Sequence, residues 1–283
     1  MTANPRRRSR PAALGIALGI ALVALILAGC GSSSSVRTAP TTGAAVPTTS
    51  AAPTATVAPG GPGVDLTEFF VRGTKVGIGH RRVASTSAVA RAALDQLLAG
   101  PDATERDAGL TTAIAPGTRL TSLAVADGIA TVDLTPDLTV GLVEPARTQA
   151  RAQVVFTLSQ FPTVTSVRID GAPAVARDAF AAVTPAVLLL SVAPGDLVGN
   201  PVAVAGLNNT FENTVQVELL DAQRKVVAST AATGSGQMGT WGPFSVNVGF
   251  PAGGGATGYV RTFTTSAETG ARIDVTEVPV RFA

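Results

Sequence analysis

Leu120-Thr121-Ser122-Leu123-Ala124-Val125-Ala126-Asp127-Gly128-Ile129-Ala130-Thr131-Val132-Asp133-Leu134 reads as two short apolar runs on either side of Asp127-Gly128. That dipeptide suits the positive φ angles of a two-residue hairpin turn, so the runs Leu120 to Val125 and Ile129 to Leu134 are expected to pair as antiparallel strands. Working outward, the periodicity changes. Upstream, Ser85 to Ala99 places Val89, Ala93, Leu94, Leu97 and Leu98 on one side of a helix that Gly100-Pro101 stops. Leu66 to Arg72, before it, reads as a strand. Downstream, a helix is expected to begin near Glu144-Pro145, where proline is tolerated in the first turn, to present Val154, Val155 and Leu158, and to stop before Pro162. Val164 to Ile169 then reads as a last strand ending at Asp170-Gly171. This mixture predicts a small α+β domain with two helices packed on one face of a sheet.

After a connector the helical signal is lost. Val187 to Val192, Val202 to Ala205, Val215 to Leu220, Lys225 to Ser229, Phe244 to Val248, Tyr259 to Thr264 and Ile273 to Val280 are short β-rich runs separated by turn residues. Seven such runs predict a sandwich in which alternate residues, Val215, Val217 and Leu219 among them, face the core. With no cysteine in this half, core burial must stabilise it without a disulfide, which about 100 residues can do.

The one cysteine, Cys30, sits in Leu27-Ala28-Gly29-Cys30 behind an apolar run, Ala12 to Ile26, that follows Arg6, Arg7, Arg8 and Arg10. A positive region, a short apolar region and a small-residue end make a signal peptide, and the apolar run is short for a membrane span of about 20 residues. Its end resembles the bacterial lipobox. That resemblance implies cleavage between Gly29 and Cys30 and a Cys30 carrying two or three acyl chains, palmitate among them, which at about 0.8 kcal/mol per buried methylene hold a protein firmly to a membrane. A secretory peptide with an incidental cysteine and an uncleaved anchor helix are the other readings. Removing the four arginines leaves 17 basic against 19 acidic residues, so the formal charge of +2 becomes −2. The basicity is mostly a targeting signal, and no Lys/Arg cluster beyond Arg81-Arg82 supports nucleic-acid binding. Gly31 to Gly63 is rich in Ser, Thr, Ala, Pro and Gly with Arg37 as its only charge; it has too little apolar surface to order itself and is read as a tether with a reach of roughly 30 Å as a coil.

The segments Leu97-Leu98-Ala99-Gly100-Pro101, Gly109-Leu110-Thr111-Thr112-Ala113-Ile114, Pro116-Gly117-Thr118, Val132-Asp133-Leu134, Ala152-Gln153-Val154-Val155-Phe156-Thr157-Leu158 and Phe161-Pro162-Thr163-Val164 with Asp170-Gly171 resemble the GerMN domain. That domain is found in sporulation and germination proteins and in envelope lipoproteins of high-GC Gram-positive bacteria. One copy is present, where sporulation relatives carry two in tandem. Pro194-Gly195, Pro201-Val202, Gly206, Phe211-Glu212, Val215-Gln216-Val217, Phe263, Ser266, Gly270 and Pro279-Val280 are similar to Gmad2, an immunoglobulin-like domain often placed after GerMN. Leu207 stands where that pattern has a smaller residue. The expected organisation is a signal peptide over 1–29, a lipidated cysteine and tether over 30–63, a GerMN-like α+β domain over 64–174, a connector over 175–185 and an immunoglobulin-like sandwich over 186–283. Neither resemblance implies catalytic residues or a cofactor.

Enzymatic readings rest on few groups. His80 is the only imidazole; Arg81 and Arg82 beside it disfavour its protonation, no G-x-S-x-G stretch offers it a nucleophile, and a loop or strand-end position is expected for it. Glu105 with Asp107, Asp133 with Asp137, and Glu212 are acids that glycoside hydrolysis could use if two stood about 5–9 Å apart across a cleft. Gly253-Gly254-Gly255 and Gly234-Ser235-Gly236 lack the context of a phosphate loop and are read as flexible hairpin tips. Trp241, the only tryptophan, either lies in the sandwich core, the favoured position, or is exposed to stack on sugars or anchor a partner. The function expected is therefore non-enzymatic: a lipid-anchored protein on the extracytoplasmic face of the cell membrane that binds envelope proteins or peptidoglycan, without cofactor, metal or nucleic acid. The alternatives are a glycan-binding module using Trp241 and an Asp/Glu-dependent cell-wall hydrolase.

Overall fold

The computed structural model describes residues 63–251 and 256–283. Cys30, Gly29, the signal peptide, the tether up to its last residue and the Gly253-Gly254-Gly255 loop lie outside the described residues. The described residues belong to one compact unit.

The hairpin at Asp127-Gly128 is present. Strands β4 (Arg119–Ala126) and β5 (Ile129–Thr135) pair antiparallel, and φ values of 51° and 79° at the two turn residues give the double left-handed geometry that the dipeptide favours. From β5 the chain crosses through helix α3 (Ala146–Leu158) to β6 (Ser166–Ile169), which pairs parallel to β5. This is a strand–helix–strand crossover, the connection parallel pairing requires. Asp170 fixes its end: its carboxylate accepts from the backbone N–H groups of Leu134 and Leu138, both at 2.7 Å.

A second three-stranded sheet stands beside the first, where one sheet was expected. Strands β1 (Gly63–Arg72) and β2 (Lys75–Ala84) form a long hairpin, and the two-residue strand β3 (Leu110–Thr111) pairs with the end of β1. Strand β2 carries little apolar periodicity, because Gly77 and Gly79 occupy places where a side chain would collide. A Cβ at Gly79 would stand 1.8 Å from Glu105 Oε1, and one at Gly77 would stand 2.9 Å from Leu110 Cδ2. Helix α1 (Val89–Ala99) begins four residues later than the apolar pattern suggested and packs on α3, β1 and β4. A short helix α2 (Ala103–Asp107) opens with a reciprocal cap: Asp102 accepts from the Glu105 N–H, and the Glu105 carboxylate accepts from that of Asp102.

Helix α3 is buried nearly all round from Gln149 onward, and its polar side chains replace strand partners that β1 lacks. Thr157 Oγ1 accepts from Phe69 N–H at 3.1 Å. Gln160, just past the helix, both accepts from Thr67 N–H and donates to Thr67 C=O, at 3.0 and 2.8 Å. Around these bonds Phe69 and Phe156 meet with ring centroids 5.3 Å apart.

The connector is folded. Arg177–Val183 forms a 3-10 helix whose Phe180 and Val183 join the first core, and the Arg177 guanidinium lies 5.3 and 5.0 Å from the Phe69 and Phe156 ring centroids. Beyond it all seven expected strands are found: β7 (Val187–Leu189), β9 (Val202–Asn208), β10 (Thr214–Asp221), β11 (Val226–Thr233), β12 (Gly242–Val248), β13 (Thr257–Thr265) and β14 (Arg272–Phe282). A two-residue strand β8 (Leu197–Val198) is added to them. One sheet runs β11-β10-β13-β14-β8 and the other β12-β9-β7. Val215, Val217 and Leu219 face the core between them, as the alternation predicts. The fold is α+β with a β-sandwich-like C-terminal part.

Gly234-Ser235-Gly236 is packed against Asn208 and is no flexible tip, since Cβ atoms at Gly234 and Gly236 would lie 2.1 and 1.9 Å from Asn208 oxygens. Strand β7 serves two cores: Val187 and Leu189 enter the sandwich, while Leu188 between them enters the first core with Ala193. Leu207 pairs with Leu188 across β9 and β7 and packs on the first core. A small residue there would leave the junction underfilled, which accounts for the departure from the family pattern. Because Phe156 is 2% exposed and fills the centre of the first core, Phe156→Ala should cost about 3–5 kcal/mol of stability, read as a lowered urea midpoint.

Candidate functional site

A set of titratable groups gathers on β2 and the elements beside it, and one of them reaches across to the second half. His80 lies in the middle of β2, opposite Thr67 of β1, which corrects the expectation of a loop or strand-end position. Its Nδ1 is 2.8 Å from Asp196 Oδ2 and its Nε2 is 3.3 Å from the Leu190 carbonyl oxygen. Both partners are acceptors, so only the imidazolium, with two N–H donors, satisfies both. Burial opposes that charge; the Asp196 hydrogen bond and charge and the Leu190 carbonyl outweigh it and raise the His80 pKa above its ordinary 6.5. The two arginines do not suppress protonation, because each faces a carboxylate of its own: Arg81 pairs with Glu105 and Arg82 with Asp65.

The Arg81–Glu105 pair is two-pronged and buried, with Glu105 1% exposed. Beside it Glu68 is 0% exposed, and neither of its carboxylate oxygens has a hydrogen-bond partner among the described residues. Burial pushes its pKa up to about 8, with Arg81 lowering it and Glu105 adding to the rise. Glu68 therefore holds a proton at neutral pH, and this third member of the cluster is invisible in the sequence. The remaining acids do other things. Asp107 is exposed while Glu105 is inside, Asp133 accepts from Ser122 Oγ at 2.6 Å on the solvent side of β5, and Asp137 and Glu212 are exposed. Among the described residues no group of three His, Cys, Asp or Glu side chains is placed to hold a metal ion.

A cavity of about 460 Å³ opens at the same junction, between the start of β2, strand β7 and strand β14. Ile78, Leu189 and Val278 give it apolar walls, and Arg72, Lys75 and Asp274 give it charge. Trp241 lines it, half-buried, with its indole N–H donated to the Pro185 carbonyl oxygen at 2.9 Å. That placement corrects the expected burial in the sandwich core: the ring stands beside β12, clamping the segment that enters β7. Arg72 donates to the Glu277 carbonyl oxygen at 3.0 Å and Lys75 to that of Ala182 at 2.8 Å. Chemically the cavity can bind, with apolar walls, two cations and a free strand side. No signal in the sequence marks it, because its lining comes from positions more than 200 apart.

Two pH effects follow. The folded Glu68 keeps its proton to about pH 8 whereas an unfolded glutamate releases it near 4.5. Its contribution is thus full below pH 4.5 and is lost as the pH rises through 8. His80, also raised, contributes fully below 6.5 and loses that contribution as the pH rises through its folded pKa. Urea midpoints of the parent should fall between pH 5 and 9. Glu68→Gln should flatten most of that slope and leave the smaller His80 component, and Glu68→Gln with His80→Gln should remove both.

Comparison with known proteins adds the family context. A model described as sporulation and spore germination matches residues 64–175, and one described as the immunoglobulin-like domain of bacterial spore germination matches residues 189–271. No curated protein matches. Among solved structures, the tandem GerMN domains of the sporulation protein GerM from Bacillus subtilis are similar over 44% of this chain and 48% of that one, at 20% identity and a TM-score of 0.34. The chain thus spans about half the length of that relative. The first GerMN domain of the same protein is similar over 38% of this chain and 84% of that one, at 18% identity and a TM-score of 0.32. CopC from Methylosinus trichosporium OB3b is similar over 34% and 92%, at 14% identity and a TM-score of 0.21. Likenesses of this size carry no functional argument, whereas the two family models fall in order on the two halves built above. The chain carries a GerMN domain of the sporulation and germination type followed by a Gmad2 immunoglobulin-like domain.

Proposed function

We propose that this protein is a non-enzymatic envelope protein, held at the extracytoplasmic face of the cell membrane by acyl chains on Cys30, that binds other envelope proteins or the cell wall. The observation that carries the non-enzymatic part is that the imidazole and the buried acids are engaged or sealed off, Glu68 being 0% exposed. His80 is fastened to Asp196 across the junction and Glu105 to Arg81 within the first half. A histidine held as an imidazolium by two acceptors cannot act as a general base without breaking the junction, and a carboxylate clamped by a guanidinium is a poor acid. The family context, domains described for sporulation and spore germination, supports a role in the envelope. No helix among the described residues is long and apolar enough to cross a membrane, so in this reading attachment falls to Cys30, outside them.

The test is a pull-down of the full-length lipoprotein from crosslinked membranes, read by mass spectrometry, beside a Cys30→Ser control. The parent should partition with membranes and bring down a specific set of envelope proteins, and Cys30→Ser should lose the lipid and the membrane fraction. Recovery of wall fragments alone would overturn protein docking. Turnover of peptidoglycan fragments abolished by replacing one acid would overturn the non-enzymatic reading.

A further inference from the structure

Strand β14 has one side without a strand neighbour. Between Arg272 and Pro279 it pairs with β13 alone, and β8 joins its other side only at Arg281 and Phe282. The Glu277 carbonyl oxygen accepts from Arg72 and the Pro279 carbonyl oxygen from Gly195 N–H at 2.9 Å, so these alternate residues turn their main-chain groups to that side. Past Thr276 the ladder is irregular: β13 moves two residues, Thr262 to Thr264, while β14 moves three, Thr276 to Ile273, so a bulge with φ 53° at Asp274 sets Asp274 and Val275 opposite one residue of β13. The side lines the junction cavity through Asp274, Val275 and Thr276, and Val275 is 52% exposed. An unpaired strand side beside an apolar cleft is complementary to an extended chain, which adds main-chain hydrogen bonds and places alternate side chains in the cleft.

Charge narrows what that chain must carry. Arg72 is a partly buried guanidinium whose pKa burial lowers, and no carboxylate stands within 4.0 Å of it among the described residues; its donor goes to a neutral carbonyl oxygen. Lys75 is likewise bonded to a carbonyl oxygen. Such acceptors satisfy hydrogen bonds but leave charge uncompensated. Asp274, the one acid in the lining, accepts from Thr264 Oγ1 at 3.0 Å.

We infer that the junction cleft binds an extended peptide segment of a partner protein, lying along the Val275–Glu277 side of β14 and bearing an acidic side chain that meets Arg72 and Lys75. This rests on the binding function proposed above and specifies its partner. Its apolar side chains would lie on Ile78, Leu189 and Val278.

The test pans a phage-displayed library of random heptapeptides on the full-length chain and measures one enriched peptide, synthesised, by calorimetry. Enrichment of sequences with one Asp or Glu among alternating apolar residues is expected. Replacing that acid by its amide, or Arg72 by Gln, should weaken binding about tenfold or more, and Val275→Glu, which sets a like charge on the exposed side of the cleft, should weaken it at least as much. Thermal unfolding reports whether each variant is folded, and Lys75→Ala provides a surface variant should Arg72→Gln fail to fold. No enriched peptide, enrichment without an acid, affinity unchanged in both Arg72→Gln and Lys75→Ala, or displacement of the peptide by soluble wall glycan would overturn the inference. Partners in the pull-down with no peptide binding would reject this site and leave the binding function standing. Peptide binding with an empty pull-down would do the reverse.

Discussion

Leu188 and its neighbours Val187 and Leu189 point to opposite sides of one short strand, and through them two hydrophobic cores are joined. A strand buried on both faces cannot shift by one residue without exchanging the contents of both cores, so β7 fixes the register of the sandwich against the first domain. Leu207 thickens the same seam, and His80 with Asp196 fastens it from the side. The cavity exists because of this arrangement: β7 holds β2 and β14 near each other without letting them pair.

Within the first domain the corresponding constraint is the incomplete pairing of β1. Strand β3 covers only its last two residues, and an unpaired backbone group inside a core costs about 1–3 kcal/mol. Thr157 of α3 and Gln160 just past it meet that demand, and Gln153 does the same for Ala113 N–H at 2.8 Å. These polar residues, which weaken the apolar stripe of α3 as read from sequence, are the ones that dock it. Glu68 shows the opposite solution: with no hydrogen-bond partner among the described residues, its carboxyl keeps a proton and remains neutral.

The same principle separates structural charges from those open to a ligand. Arg81 and Arg261 each face carboxylates, and both pKa values are raised because those hydrogen bonds outweigh burial. Arg177 and Arg72 have lost water without gaining an anion among the described residues, and burial lowers their pKa values. Arg177 packs its guanidinium against the Phe69 and Phe156 rings, whereas Arg72 lines a cavity, and that placement makes Arg72 the group of functional interest.

Local signals told much of this story. Period-two runs marked all seven sandwich strands, the Asp-Gly turn marked the β4–β5 hairpin, apolar positions three and four apart marked α1, and the ordered motifs marked both domains. Strand β2 was missed because two of its residues are glycines that accommodate Glu105 and Leu110, neighbours that only the folded chain supplies. Trp241 was assigned to the core by its size, and its contact with Pro185 lies 56 positions away. By itself the sequence determined the fold class and the order of its elements, because helix and strand periods and turn chemistry act within a few residues. Tertiary structure alone decided the two-sided role of β7, the His80–Asp196 fastening across 116 positions, the neutral Glu68 and the cleft between Arg72 and β14, because burial and charge pairing are set by neighbours in space.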